Sequence, residues 1–139
     1  MKSSTIIAGL IAGVVSFFLG WLVFGILLEK LYQAHTIAYA GLNKAEPVMW
    51  ALIVGNLTWG MLAAYVLDLG NANSIGKGFI CGFILFGLIT LGFDMFFLAF
   101  MNLMSLKMSL LDIAINAIFG GVIGAVVGWW YSRGATANN

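Results

Sequence analysis

Four runs of mostly apolar residues, at positions 5–28, 48–67, 78–104 and 110–131, fill most of this 139-residue chain and constrain its fold more than any other feature. A helix rises 1.5 Å per residue, so about 20 residues cross the roughly 30 Å hydrocarbon core of a bilayer, and each run has that length. Within lipid the backbone must satisfy its own hydrogen bonds, which makes each run a helix. Charged residues are 8% of the chain, against about 25% in ordinary soluble domains. The expected fold is an all-α integral membrane protein, a four-transmembrane-helix bundle forming a single domain over residues 1–139. The first apolar run is too long for the hydrophobic part of a cleaved signal peptide and is read as a helix. The connection 29–46 mixes Leu31, Tyr32, Ile37 and Tyr39 with polar residues. It is expected to lie along the membrane interface as a short amphipathic helix, or to cap the bundle as a lid.

Several chemistries lack the residues they need. Cys81 is the single cysteine and His35 the single histidine, so neither a disulfide framework nor a metal site is expected. A net charge of +1 gives no footprint for nucleic acid. No buried serine has a base near it in the pattern, and no glycine loop follows a strand to hold phosphate, so no catalytic residue, no cofactor and no enzymatic activity are expected.

The chain resembles itself. A shift of 69 positions lays Gly9, Ile11, Gly13, Phe17, Leu19, Leu22 and Phe24 on Gly78, Ile80, Gly82, Phe86, Leu88, Leu91 and Phe93. A shift of 60 lays Ile53, Asn56, Gly60 and Val66 on Ile113, Asn116, Gly120 and Val126. Two tandem helical hairpins follow as the expectation, each crossing the membrane twice and forming a parallel internal repeat about an axis along the membrane normal. At the shift of 69, Asp94 falls on Gly25. The acid is thus a difference between the two copies.

Membrane helices pack where small residues let backbones approach. Gly9 and Gly13, their counterparts Gly78 and Gly82, and the stripe Gly120, Gly124 and Gly128 are the expected packing faces. Packing within one bundle is favoured over homodimer formation. Ser109-Leu110-Leu111-Asp112 fits a capping box, which reads Asp112 as a helix cap. Trp50 at one face and Trp129, Trp130 and Tyr131 at the other are the expected interface anchors. Lys2, Lys77 and Arg133 flank one side and Lys30, Lys44 and Lys107 the other. The balance leaves insertion in both orientations open, with both termini in the cytoplasm preferred for the closeness of Lys2 and Lys77 to their helices.

Asp94 stands out within the third run, in Leu91-Gly92-Phe93-Asp94-Met95-Phe96-Phe97. Counted from the nearer helix ends, Asp94, Asn56 and Asn116 all lie roughly 10 to 15 Å below one face at 1.5 Å per residue. Helical spacing puts Thr90 on the face of Asp94, and Asp112 on that of Asn116. Asp94, Asn56, Asn116 and Thr90 are therefore expected to converge inside the bundle as an intramembrane polar site, the amides and hydroxyl supplying donors to the acid. An ionisable residue at such depth costs on the order of 3 kcal/mol and usually marks a solute or proton pathway.

Phe18-Leu19-Gly20-Trp21-Leu22 followed by Phe24-Gly25, then Leu91-Gly92-Phe93, then Leu111-Asp112 ahead of a glycine-rich end, resemble a bacterial family of small four-helix membrane proteins catalogued only as a domain of unknown function. The resemblance implies the four-helix fold and a bacterial inner-membrane location, and it implies no activity. The expected function is transport- or channel-like, with the layer around Asp94 contacting a proton, cation or small polar solute. The alternatives are an accessory or structural subunit of a larger membrane complex, and a binder of lipid or another hydrophobic ligand. Beyond such a complex or a homodimer, the expected partner is the lipid bilayer itself.

Overall fold

In the computed structural model, which describes residues 2–42, 44 and 46–136, all the regular elements are helices. Helix α1 spans Ser3–Leu22 and runs on through a single π-helical turn, Val23–Leu27; α2 is Glu29–His35, α3 Met49–Leu69, α4 Ile75–Phe100 and α5 Leu106–Thr136. Four of them are long and apolar enough to cross a membrane: Ser3–Leu27, Met49–Leu69, Ile75–Phe100 and Leu106–Arg133. Positions 1, 43, 45 and 137–139 of the expected ranges lie outside the described residues.

Helix α1 packs antiparallel on α3, and α4 on α5, forming two hairpins. Helix α5 also reaches α1 and α3, whereas α3 and α4 touch little. The core these contacts enclose is built largely from small side chains: Ala8, Ala12, Ala63 and Ala64 are buried with Leu67, Phe86, Ile123 and Val127. Small side chains bring the backbones themselves into contact, which is how helices associate where lipid provides no hydrophobic drive. A Cβ on Gly60 would collide with the Gly9 and Gly13 backbone, and one on Gly124 with that of Gly78 and Gly82. Gly120 lies against Gly82 and Phe86, and Gly128 against Ser74 and Gly78. All seven stripe glycines are buried within the chain.

These contacts revise one register. Gly60 sits between Gly9 and Gly13 as Gly124 sits between Gly78 and Gly82, and the Asn56 carbonyl faces Gly13 as the Gly120 carbonyl faces Gly82. With α1 laid on α4 by 69 positions, α3 therefore corresponds to α5 at a shift of 64, not 60. The matching Asn-x-x-x-Gly segments are out of structural register by four residues, and Asn116 lies one turn, about 6 Å, nearer the α2 end than Asn56. Close packing sets the register through the glycine that fits, and α5 offers several.

At one end of the bundle Lys2 pairs with Asp68 at 3.4 Å, and the Thr5 hydroxyl donates to the same carboxylate at 2.9 Å. Nearby, Tyr131 donates to the Ala64 carbonyl at 2.8 Å, tying α5 to α3. At the opposite end α2 and the extended segment after it lie over the bundle. Ile37 N–H donates to the Leu103 carbonyl at 2.8 Å, and Tyr39 donates to that of Asn102 at 2.8 Å. The backbone at 101–104 thus pairs with this segment instead of continuing the helix, which is why α4 stops at Phe100 and not at 104.

The expected cap on the last helix is corrected in the same region. Ser105 is the capping residue, its hydroxyl accepting from Met108 N–H at 3.3 Å. Helix α5 therefore starts one turn early, and Ser109 is buried inside it. Asp112 lies two turns into the helix and caps nothing. Among the expected anchors, Trp50 is exposed, and Trp129 lies at the surface beneath Arg133, whose guanidinium carbon is 4.2 Å from the ring centroid. Trp130 and Tyr131 pack against the core.

Candidate functional site

Where α3 and α4 diverge, a cleft of about 960 Å³ separates the hairpins toward the α2 end, with walls from α1, α3, α4 and α5. Its polar lining is Ser16, Asn56, Thr90, Asp94, Asp112 and Asn116. The four residues expected to converge therefore border one space, but not through the hydrogen bonds expected of them. Asn56 accepts from the Ser16 hydroxyl at 2.8 Å and donates to the Leu52 carbonyl at 2.8 Å. Asn116 donates to the carbonyl and to the carboxylate of Asp112, both at 3.0 Å. Neither amide donates to Asp94.

Asp94 is only 4% exposed, and its Oδ2 is buried with no hydrogen-bond partner among the described residues. Asp112 borders the same cleft and lies close enough to act on it electrostatically. Two neighbouring carboxyl groups can share a proton or together hold a positive species, since ionised carboxylates offer acceptors alone. No Lys, Arg or His is among the described residues of the lining. The pair is thus concentrated acceptor capacity with no internal counter-charge.

Asp112 is held from above. The Tyr32 hydroxyl of α2 donates to its Oδ1, while the Tyr32 ring meets Phe24 edge-on with centroids 5.8 Å apart. Burial, and then the hydrogen bond with Asp112, push the Tyr32 phenol above its usual range, so that it stays a neutral donor. Phe24 lies in the π-helical turn and packs on Phe119 at 5.6 Å. π-Helical turns recur at functional sites because they reset the direction of the side chains that follow; this one borders the cleft.

Aromatic residues dominate the apolar part of the lining. Phe18, Trp21, Trp59 and Phe93 line the same space as Phe24 and Phe119. Phe18, Trp21 and Phe93 are 62%, 63% and 56% exposed, so the cleft opens sideways, toward the surroundings of the bundle. A second cavity of about 680 Å³ at the other end contains Lys2 and Asp68, whose charges are already paired. No group of three His, Cys, Asp or Glu side chains able to hold a metal occurs among the described residues.

The sequence reading missed Asp112, Tyr32 and Ser16 as members of this site. For Asp112 the signal was present, because its four-residue spacing from Asn116 places both on one face. For Tyr32 there was none, since nothing in the connection shows that it folds back over the bundle. Compared with known protein families, with curated proteins and with solved structures, the chain gives no significant match.

Proposed function

We propose that the chain is an integral membrane protein of transport or channel type, in which the Asp94–Asp112 pair holds a proton, a cation or a small polar solute on its way across the bilayer. One observation carries the reading. A carboxylate oxygen is buried without a donor, beside a second carboxylate, in a cleft whose described lining has no positive side chain. A clasp between helices would satisfy its acceptors, because an unmet buried acceptor costs about 1–3 kcal/mol. An acceptor left open for a passing positive species accounts for that cost. The proposal includes a bacterial inner-membrane location with both chain ends facing the cytoplasm. It also includes an origin of the two hairpins by duplication, at the structural shift of 64 between α3 and α5.

The aromatic wall favours a second reading, that of a binder for lipid or another hydrophobic ligand. Flux separates the two. Liposomes containing the purified protein, potassium and a trapped pH-sensitive dye are diluted into potassium-free medium with valinomycin; a parallel set carries a sodium-sensitive dye. Proton or sodium entry above protein-free liposomes is expected for the parent and is expected to disappear in Asp94→Asn. Equal entry in parent and variant would refute the proposal.

A further inference from the structure

We propose that the cleft between the hairpins binds a protonated amine carrying an apolar body. The inference rests on the reading of Asp94 and Asp112 as the working groups of the cleft, and narrows the positive species from any cation to one chemical class.

Charge comes first. The described lining contains two carboxylates and no cationic side chain, so a positive ligand gains attraction from both acids and meets no repulsion. The second point is the orphaned Oδ2 of Asp94, on a residue only 4% exposed. An acceptor in that position is completed by a donor, and an ammonium N–H is both donor and charge. A quaternary ammonium has the charge without the N–H. An inorganic cation needs several oxygens at once, and here the Asn116 amide points its N–H at Asp112, the Asn56 oxygen already accepts from Ser16, and most of the lining is apolar.

The walls define the remainder of the ligand. Trp21, Phe24, Trp59 and Phe93 line the same cleft as the acids, and aromatic rings attract a cation within about 6 Å of their centroids. They also shelter apolar groups. A volume of about 960 Å³ lies in the range of pockets that enclose a small organic molecule. The exposed rim of Phe18, Trp21 and Phe93 leaves the cleft open laterally, so in a bilayer an amphiphilic amine reaches it from the lipid. Amphiphilic amines partition there on their own.

The test is equilibrium binding to the full-length protein in detergent micelles at neutral pH, read from tryptophan fluorescence, because Trp21 and Trp59 line the cleft. Three ligands of one shape are compared: dimethyl(4-phenylbutyl)amine, its trimethylammonium analogue, and the neutral hydrocarbon in which carbon replaces nitrogen. Saturable binding of the amine is expected, about tenfold weaker binding of the quaternary ion for want of a charged hydrogen bond, and no saturable binding of the hydrocarbon. Asp94→Asn is expected to weaken amine binding at least tenfold with helical circular dichroism unchanged, and Asp94→Glu to retain binding within a few-fold. Should the asparagine variant fail to fold, the ligand series on the parent and on Asp94→Glu still decides. Hydrocarbon binding as tight as that of the amine, equal binding of the quaternary ion, or amine binding that survives Asp94→Asn would overturn the proposal. Asp94-dependent flux without amine binding would sink this inference alone. Amine binding without any flux would sink the transport reading alone.

Discussion

Replacing Asp94 by asparagine should leave the protein as stable or make it more so, and the same change at Asp112 should weaken it. The contrast follows from the partners of each acid. Asp94 Oδ2 has no donor, and the group beside it is another carboxylate. Asparagine is nearly isosteric, carries no charge, and brings an amide N–H that Asp112 can accept. An acid at a helix centre costs about 2.5–3.5 kcal/mol on insertion scales; recovering part of that gives an expected gain of about 1–2 kcal/mol. Asp112, half-buried, accepts from the Tyr32 hydroxyl and the Asn116 amide. Charged hydrogen bonds contribute about 1.5–3 kcal/mol each when buried, and partial exposure reduces the expected loss in Asp112→Asn to about 1 kcal/mol. Both variants can be compared with the parent by reversible unfolding in mixed micelles of rising dodecyl sulfate content, followed by circular dichroism and tryptophan fluorescence. A loss of more than about 1 kcal/mol in Asp94→Asn, beyond the roughly 0.6 kcal/mol of an average interhelical hydrogen bond, would mean that Asp94 is a clasp, and the reasoning would fail.

Glycine substitutions should divide by what their Cβ meets. Gly60→Ala forces a methyl into the backbone of Gly9 and Gly13, where no flexible side chain can yield, and should cost about 1–3 kcal/mol in the same unfolding assay. Gly92→Ala projects into open space and should be neutral or stabilising by up to about 1 kcal/mol; similar effects at the two positions would contradict the packing described. Tyr32→Phe removes the tie between α2 and Asp112 and should speed amide hydrogen exchange in 29–39 while leaving α4 protected. The folded phenol titrates above its usual value, so its contribution is complete below about pH 10 and is lost only as pH rises through that higher folded value. The stability difference between Tyr32→Phe and the parent should accordingly be the same at pH 7 and pH 9, and a difference that vanishes by pH 9 would contradict the assignment.

What the sequence made legible was whatever depends on local pattern. Apolar run length located all four long helices, with ends off by one to five residues, and small-residue spacing picked out the glycines along which α4 meets α5. Depth counting placed Asn56, Asp94 and Asn116, and helical spacing placed Thr90, at one cleft without revealing their bonds, because an asparagine in a helix can turn back to its own preceding turn, as both do here. By sequence the capping box fell on Ser109, whereas the cap forms at Ser105. The choice depended on where the loop 101–104 met the segment after α2, a contact between residues far apart in the chain. Tyr32 reached the site by the same fold-back. A shift of 60 positions aligns the two Asn-x-x-x-Gly segments, whereas the backbone contacts set Gly60 and Gly124 in like places.

The proposed function makes the cleft around Asp94 an accessible, negatively charged space within a membrane-embedded bundle. Thiol reactivity in liposomes measures that accessibility and charge. In a Cys81→Ala background, Thr90→Cys places a thiol in the cleft, and Leu88→Cys places one on the outer surface of the same helix. A cationic methanethiosulfonate should modify the thiol at 90 at least several-fold faster than its anionic counterpart, should lose that preference when Asp94 is also changed to asparagine, and should leave the outward-facing thiol at 88 unmodified. Equal rates for both reagents at 90, or reaction at 88 as fast as at 90, would contradict the claim.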